Sequence, residues 1–100
     1  MKEGFDSPRD RHMTFFVYMI GSKAKNKTIS YVGYTNNLKN RLNLHNTSKG
    51  AKFTRGRKWK LIYYKKYKNK NEAMKNEYKL KKNYILRNKI KNENFNLITI

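Results

Sequence analysis

The sequence predicts an α+β domain in which three strands and their flanking helices follow the order β-β-α-(α)-β-α-α. Three observations predict it. Two β-prone runs, Thr14 to Ile20 and Thr28 to Tyr34, flank one short polar segment, the arrangement of an antiparallel hairpin. A third such run extends from Trp59 to Tyr67. The second and third runs each lead into asparagines able to cap a helix, followed by apolar residues at helical spacing. At 100 residues the chain makes one domain, and a domain of this size buries only roughly 60% of its unfolded surface, so the core must be thin.

Residues 1–12 carry Gly, Ser, Pro and charges of both signs without an apolar period. They read as a disordered leader or an extended start, with Met13 a candidate beginning for the domain over 13–100. Thr14 to Ile20 is a continuous aromatic and branched run, which marks a central strand buried on both faces. Gly21 to Lys27 is polar and turn-like. Gly33 interrupts the second strand, and a glycine there marks a bulge or the close approach of another backbone or a ligand. Thr35, Asn36 and Asn37 offer caps to a helix reaching Asn46, with Leu38 and Leu42 facing inward. Residues 47–58 form a basic loop or short helix punctuated by Gly50 and Gly56. In the third strand Lys65 and Lys66 bring one end to solvent. Asn69 or Asn71 caps a helix running to Asn88 with one break, and Glu72 in its first turn complements the positive end of the helix dipole. Phe95 to Ile100 is a short apolar tail expected to pack back.

Charge speaks to partners. The acids and bases of residues 1–12 cancel, so the whole net charge of +19 falls on residues 13–100. No Asp or Glu occurs between Arg11 and Asn71, which leaves the bases there without acidic neighbours in sequence. Such a field attracts phosphate backbones and binds them in a salt-dependent way. Lys and Asn abundance can also reflect an AT-rich genome, which would explain part of the charge without a partner. Lys27, Lys49, Lys52, Arg55, Arg57 and Lys58 are the candidate nucleic-acid contacts. A membrane role is not supported: no apolar run approaches the roughly 18 residues of a span, and no helix pairs its bases with a clean apolar face. The longest apolar run, Phe15 to Ile20, is too short and too poorly placed for a signal peptide, so a cytoplasmic setting is expected. The absence of Cys excludes disulfides, zinc knuckles, iron–sulfur clusters and thiol nucleophiles.

Within residues 13–100 the only carboxylates are Glu72, Glu77 and Glu93. Glu77 falls along the apolar stripe marked by Ala73, Met74, Leu80 and Tyr84, where a charge persists only when paired or bound to a cation. A salt bridge to one of the many bases and a divalent-ion site are both open readings. One carboxylate with waters and a substrate phosphate suits Mg²⁺. Arg41 and His45 stand four apart on the first helix and share a face. Both could address one phosphate, Arg by its planar fork and His by donating to an oxyanion or accepting a proton. A solvated helix face is the plainer reading of that pair. Tyr18 and Tyr31 lie on the two hairpin strands, where tyrosine ordinarily packs. A phenol among so many cations should have its pKa lowered, and could then take a proton from water.

Taken together, these residues resemble the GIY-YIG nuclease superfamily. The first motif reads Phe16, Val17, Tyr18 and the second Tyr31, Val32, Gly33, followed by Arg41, His45 and Glu77 in the family's order and approximate spacing. The resemblance runs from Met13 to Asn88, with Phe16 standing where the family name has Gly. The run from Tyr31 to Thr35, the Arg41 and His45 pair and the Lys49 to Lys52 loop are most similar to the small stand-alone bacterial branch. That branch is itself similar to the catalytic subunit of a structure-specific endonuclease that cuts branched DNA. The resemblance implies a three-stranded antiparallel sheet with helices packed around it and one active site on the sheet's surface. It also implies a one-metal mechanism. Glu77 would bind Mg²⁺ or Mn²⁺, Tyr18 as phenolate would activate water, and Arg41 would stabilise the transition-state charge. Tyr31 and His45 would orient water or phosphate, Gly33 would permit close approach, and Lys27 would assist Tyr18. The function expected is a divalent-metal-dependent DNA endonuclease, structure-dependent or weakly sequence-specific, in bacterial DNA repair or recombination. Branched, flapped or single-stranded DNA is its expected partner, with a protein partner subunit as a further option. The alternative is a non-catalytic basic module that binds DNA or RNA.

Overall fold

The computed structural model describes residues 14–95; the leader over 1–12 and the tail beyond Phe95 lie outside the described residues. Strands β1 (Phe15–Ala24), β2 (Lys27–Thr35) and β3 (Lys60–Tyr67) form an antiparallel sheet in the order β2-β1-β3, which puts β1 at the centre. Val17, Tyr18, Met19 and Ile20 are all buried, as the unbroken apolar run requires of a strand covered on both faces. The hairpin is longer than expected. Pairing continues to Ala24 opposite Lys27, so the polar stretch read as a turn is mostly strand and only Lys25 and Asn26 reverse the chain. Lys25 adopts a φ of 55°, the left-handed conformation that a two-residue reversal demands at its first position. Gly33 does not bulge β2, since its pairing with Tyr18 is in regular register. The irregularity instead falls between Met19 and Ile20, where β1 meets β3.

Alternation along β1 sends successive side chains to opposite faces. One face packs Tyr18 and Ile20 with Trp59, Ile29, Tyr31 and Leu61 under Leu38 and Leu42 of helix α1 (Leu38–Asn46). Helix α1 starts where Asn37 caps it, its side chain accepting from the Asn40 N–H at 3.0 Å. The opposite face packs Val17, Met19, Val32 and Ile62 against Ala73 and Leu80 of α2 (Lys70–Lys82) and Ile90 of α3 (Tyr84–Ile90). Asn69, not Asn71, caps α2 by accepting from the Glu72 N–H at 2.9 Å. The expected single break falls at Asn83, whose side chain caps α3 through the Leu86 N–H at 3.1 Å. A π-helical turn, Lys91–Phe95, follows. The apolar stripe on α2 is narrower than its sequence suggests. Tyr84 is 65% exposed because it lies beyond the break at Asn83, and Met74 is 44% exposed because it stands one residue, about 100° of helix, round from buried Ala73.

Candidate active site

Register brings both hairpin tyrosines to the face under α1. Tyr18 pairs with Gly33 and Tyr31 pairs with Ile20, so the two phenols rise from adjacent strands on the same side. Arg41 and His45, one turn apart on α1, come down on them. His45 is fully buried. Its Nε2 lies 2.7 Å from the Tyr18 hydroxyl and its Nδ1 lies 2.9 Å from Thr54 Oγ1. The Tyr31 ring packs at 5.1 Å from the imidazole. The Arg41 guanidinium lies close enough to the Tyr18 hydroxyl to lower its pKa, while its Nε is buried without an acceptor among the described residues. This corrects one expectation. His45 does not share a phosphate-facing surface with Arg41, because both ring nitrogens are engaged inside the protein.

The segment after α1 is folded around that imidazole. Thr54, at the end of a 3₁₀ turn (Lys52–Thr54), is fully buried and donates its hydroxyl to the Ala51 carbonyl at 2.8 Å. Buried Trp59 donates its indole N–H to the Thr54 carbonyl at 2.8 Å. Asn46 closes the segment: its Oδ1 accepts from the Trp59 N–H at 2.6 Å and its Nδ2 donates to the Trp59 carbonyl at 3.1 Å. Of these residues, the sequence alone marks Asn46 as a helix end and Trp59 as a strand start, with the neighbouring glycines as punctuation. Gly50 does have a physical reason, since a Cβ there would meet His45 Nδ1 at 2.5 Å. With the backbone tied inward, Lys49, Lys52, Arg55, Arg57 and Lys58 are all exposed on one loop beside the site. Phe53, 56% exposed between them, stacks on Tyr31 at 6.2 Å. Lys27 belongs elsewhere. It pairs with Ala24 at the hairpin tip, six residues along β1 from Tyr18. At the strand rise that is roughly 20 Å, too far to assist the phenol.

Burial governs the electrostatics. Desolvation raises the Tyr18 pKa above its ordinary value of 10.0, outweighing the hydrogen bond and charge of Arg41, which lower it; Tyr31 and Glu77 raise it further. The phenolate expected from the surrounding cations is therefore not the resting form. Burial, with the Arg41 charge adding to it, pushes the His45 pKa down to about 4, so the imidazole is neutral at neutral pH. Gly33 earns its place sterically: a Cβ there would lie 2.5 Å from the Tyr18 hydroxyl oxygen, which is anchored by His45. Gly33→Ala is expected to lower stability by about 1–3 kcal/mol through this overpacking, read as a fall in the urea midpoint. An unchanged midpoint would mean that the Tyr18 ring is free to move aside.

Glu77 approaches from α2, near enough for its charge to act on Tyr18. Its side chain is 18% exposed and pairs with Lys81 at 3.5 Å, one turn on, where Lys81 is itself half exposed. An i,i+4 pair of this kind is worth only about 0.3–0.5 kcal/mol, so Lys81 is a weak competitor for the carboxylate. Among the described residues no three His, Cys, Asp or Glu side chains cluster as a metal cage. A lone hard carboxylate still fits Mg²⁺ or Mn²⁺, which keep waters and substrate oxygens in most of their positions.

The GIY-YIG catalytic domain matches residues 14–94, and the chain belongs to that family. Within it, the similarity is to small stand-alone bacterial proteins. A UPF0213 protein of Oceanobacillus iheyensis is 58% identical over 52 residues, covering 51% of this chain and 60% of that protein. One from Clostridium perfringens is 46% identical over 68 residues, covering 67% and 70% respectively. One from Staphylococcus haemolyticus is 40% identical over 67 residues, covering 66% and 78%. The chain thus spans three fifths of the length of the first relative and somewhat more of the other two. The UPF0213 name states no activity, metal or substrate. No solved structure matches the chain significantly. Nucleases of the GIY-YIG family generally use a divalent metal ion. No helix among the described residues is long and apolar enough to cross a membrane.

Proposed function

We propose that this chain is a divalent-metal-dependent DNA endonuclease that hydrolyses phosphodiester bonds with little sequence preference, in DNA repair or recombination. What supports this reading is the match to the GIY-YIG catalytic domain over residues 14–94, with the Arg41 side chain close enough to Tyr18 to act on its hydroxyl. Arg41 is only partly buried, so its guanidinium could offer a phosphate oxygen charge-assisted bonds. Glu77 would hold the divalent ion, which when bound supplies Lewis-acid stabilisation of the phosphate's charge. Arg41 stabilises the negative charge that grows on the same phosphate. Tyr18 would be the general base: it takes a proton from the attacking water as its own proton passes to His45, which burial and Arg41 hold neutral at rest and whose protonation a bound anionic phosphate would favour. Tyr31, half-buried against the imidazole, orients water or phosphate. The exposed cations of residues 49–58 hold the nucleic-acid backbone, and backbone contacts position a strand without reading its sequence.

One observation favours a second reading. Glu77 is paired with Lys81, and if that pair persists in the presence of metal the chain is a basic nucleic-acid-binding module without chemistry. Labelled duplex, flap and single-stranded DNA incubated with Mg²⁺, Mn²⁺ or EDTA separate the two. The parent should nick with metal and stop in EDTA, while Glu77→Gln should shift the same DNA in a gel and leave it intact. Binding by the parent with no metal-dependent nicking rejects the enzyme reading. Nicking that needs added cell extract points to a partner subunit.

A further inference from the structure

We infer that Thr54 is a positioning residue, which holds His45 in the tautomer whose Nε2 is free to receive the Tyr18 proton. Its effect on rate rests on the nuclease reading above; the tautomer rests on hydrogen-bond accounting alone. A hydroxyl has one proton to donate. The Ala51 carbonyl, 2.8 Å from Thr54 Oγ1, can only accept, so that proton goes to it. Oγ1 must then accept from His45 Nδ1 at 2.9 Å, which makes Nδ1 the protonated nitrogen. A neutral imidazole carries one N–H, so Nε2 presents a lone pair, and the Tyr18 hydroxyl at 2.7 Å donates to it. The direction of the whole chain, from Tyr18 through His45 and Thr54 to Ala51, is set by a backbone carbonyl that has no proton to give.

Thr54 is in turn held by the backbone. Its N–H donates to the Ala51 carbonyl at 3.0 Å and its own carbonyl accepts from the Trp59 indole at 2.8 Å. Gly50 supplies the room, since any side chain there would strike Nδ1. The opposite tautomer would aim an N–H at Tyr18 and would strip the Ala51 carbonyl of the hydroxyl proton if Thr54 turned to face the bare Nδ1. During reaction the Tyr18 O–H bond breaks and an N–H bond forms at Nε2. The proton of the attacking water passes to the Tyr18 oxygen as the water oxygen bonds to phosphorus. The scissile P–O bond breaks, and its leaving oxygen is protonated from solvent. The resulting imidazolium has an acceptor at each end, the Tyr18 oxygen and Thr54 Oγ1. A group that orients a catalytic or ligating histidine is commonly worth about 10- to 100-fold in activity.

Protein with ¹⁵N-labelled histidine rings, observed by NMR at neutral pH in a His12→Gln background that leaves His45 as the single histidine, reports the tautomer directly. The parent should show Nδ1–H with Nε2 unprotonated. Thr54→Ser should keep that signature and recover most of the cutting rate. Thr54→Val, similar in shape but unable to accept or donate, should shift the ring toward Nε2–H and lower kcat about 10- to 100-fold with KM nearly unchanged. An Nε2–H signature in the parent, an unchanged tautomer in Thr54→Val, or a serine variant as slow as the valine variant each overturns the assignment. If the valine variant does not fold, the parent and serine spectra decide the matter. A parent that shows Nδ1–H yet never cuts DNA rejects the nuclease reading while supporting the tautomer.

Discussion

Tyr18→Phe should slow strand cleavage by about 10²- to 10⁴-fold, the usual worth of a positioned general base, while DNA binding changes little. The hydroxyl is the junction of the site: it touches His45 Nε2 and is reached by Arg41. On the proposed reading its removal leaves the attacking water without a proton acceptor, and it leaves His45 Nε2 without its hydrogen-bond partner. An unsatisfied buried nitrogen costs about 1–3 kcal/mol, so the variant should also unfold at lower urea. Single-turnover cleavage under conditions where both proteins are folded isolates the chemical effect, and a gel shift measures binding. A phenylalanine variant that cuts at the parental rate would remove Tyr18 from the chemistry.

Acid should destabilise the fold strongly, and His45 is the reason. Its pKa is about 4 in the folded protein against 6.5 ordinarily. Between those values the unfolded chain binds a proton that the folded chain refuses. Stability therefore falls as pH drops through 6.5 toward 4, where the loss levels off. The whole shift is worth about 3 kcal/mol, a large share of the roughly 5–15 kcal/mol that holds a typical domain together. Urea midpoints measured from pH 7 to pH 4 should show this slope in the parent, and it should be much shallower in His45→Gln. Equal slopes in the two proteins would mean that the imidazole is solvated and titrates normally.

Elements governed by period or by local capping were legible in the sequence. Val17 to Ile20 could be placed at the sheet centre because nothing polar interrupts them, and Asn37 and Asn69 announce their helices through a side chain three residues from the N–H it satisfies. Tyr18 and Tyr31 could be put on neighbouring strands for the same reason. What could not be read was anything held by contacts across the chain. The segment 47–58 takes its shape from Asn46 reaching Trp59, Trp59 reaching Thr54 and Thr54 reaching His45, and no periodicity encodes those bonds. Lys27 was misplaced because the reversal uses two residues rather than seven, which carries it to the hairpin tip. The Tyr18 ionisation was misread because the cations of the loop are exposed to water, whereas the phenol is buried. Solvent screens the cations, and its exclusion from the phenol penalises the ionised form.

The paired bonds between the Asn46 side chain and the Trp59 backbone imitate one rung of a ladder between strands. They splice the cationic loop onto the sheet, so that its backbone is already ordered before any polyanion arrives. Most of the entropy that a floppy basic arm would forfeit on docking has then been surrendered during folding. Only the long lysine and arginine side chains would still need to settle on a polyanion docking there, flexible fingers on a stiff palm.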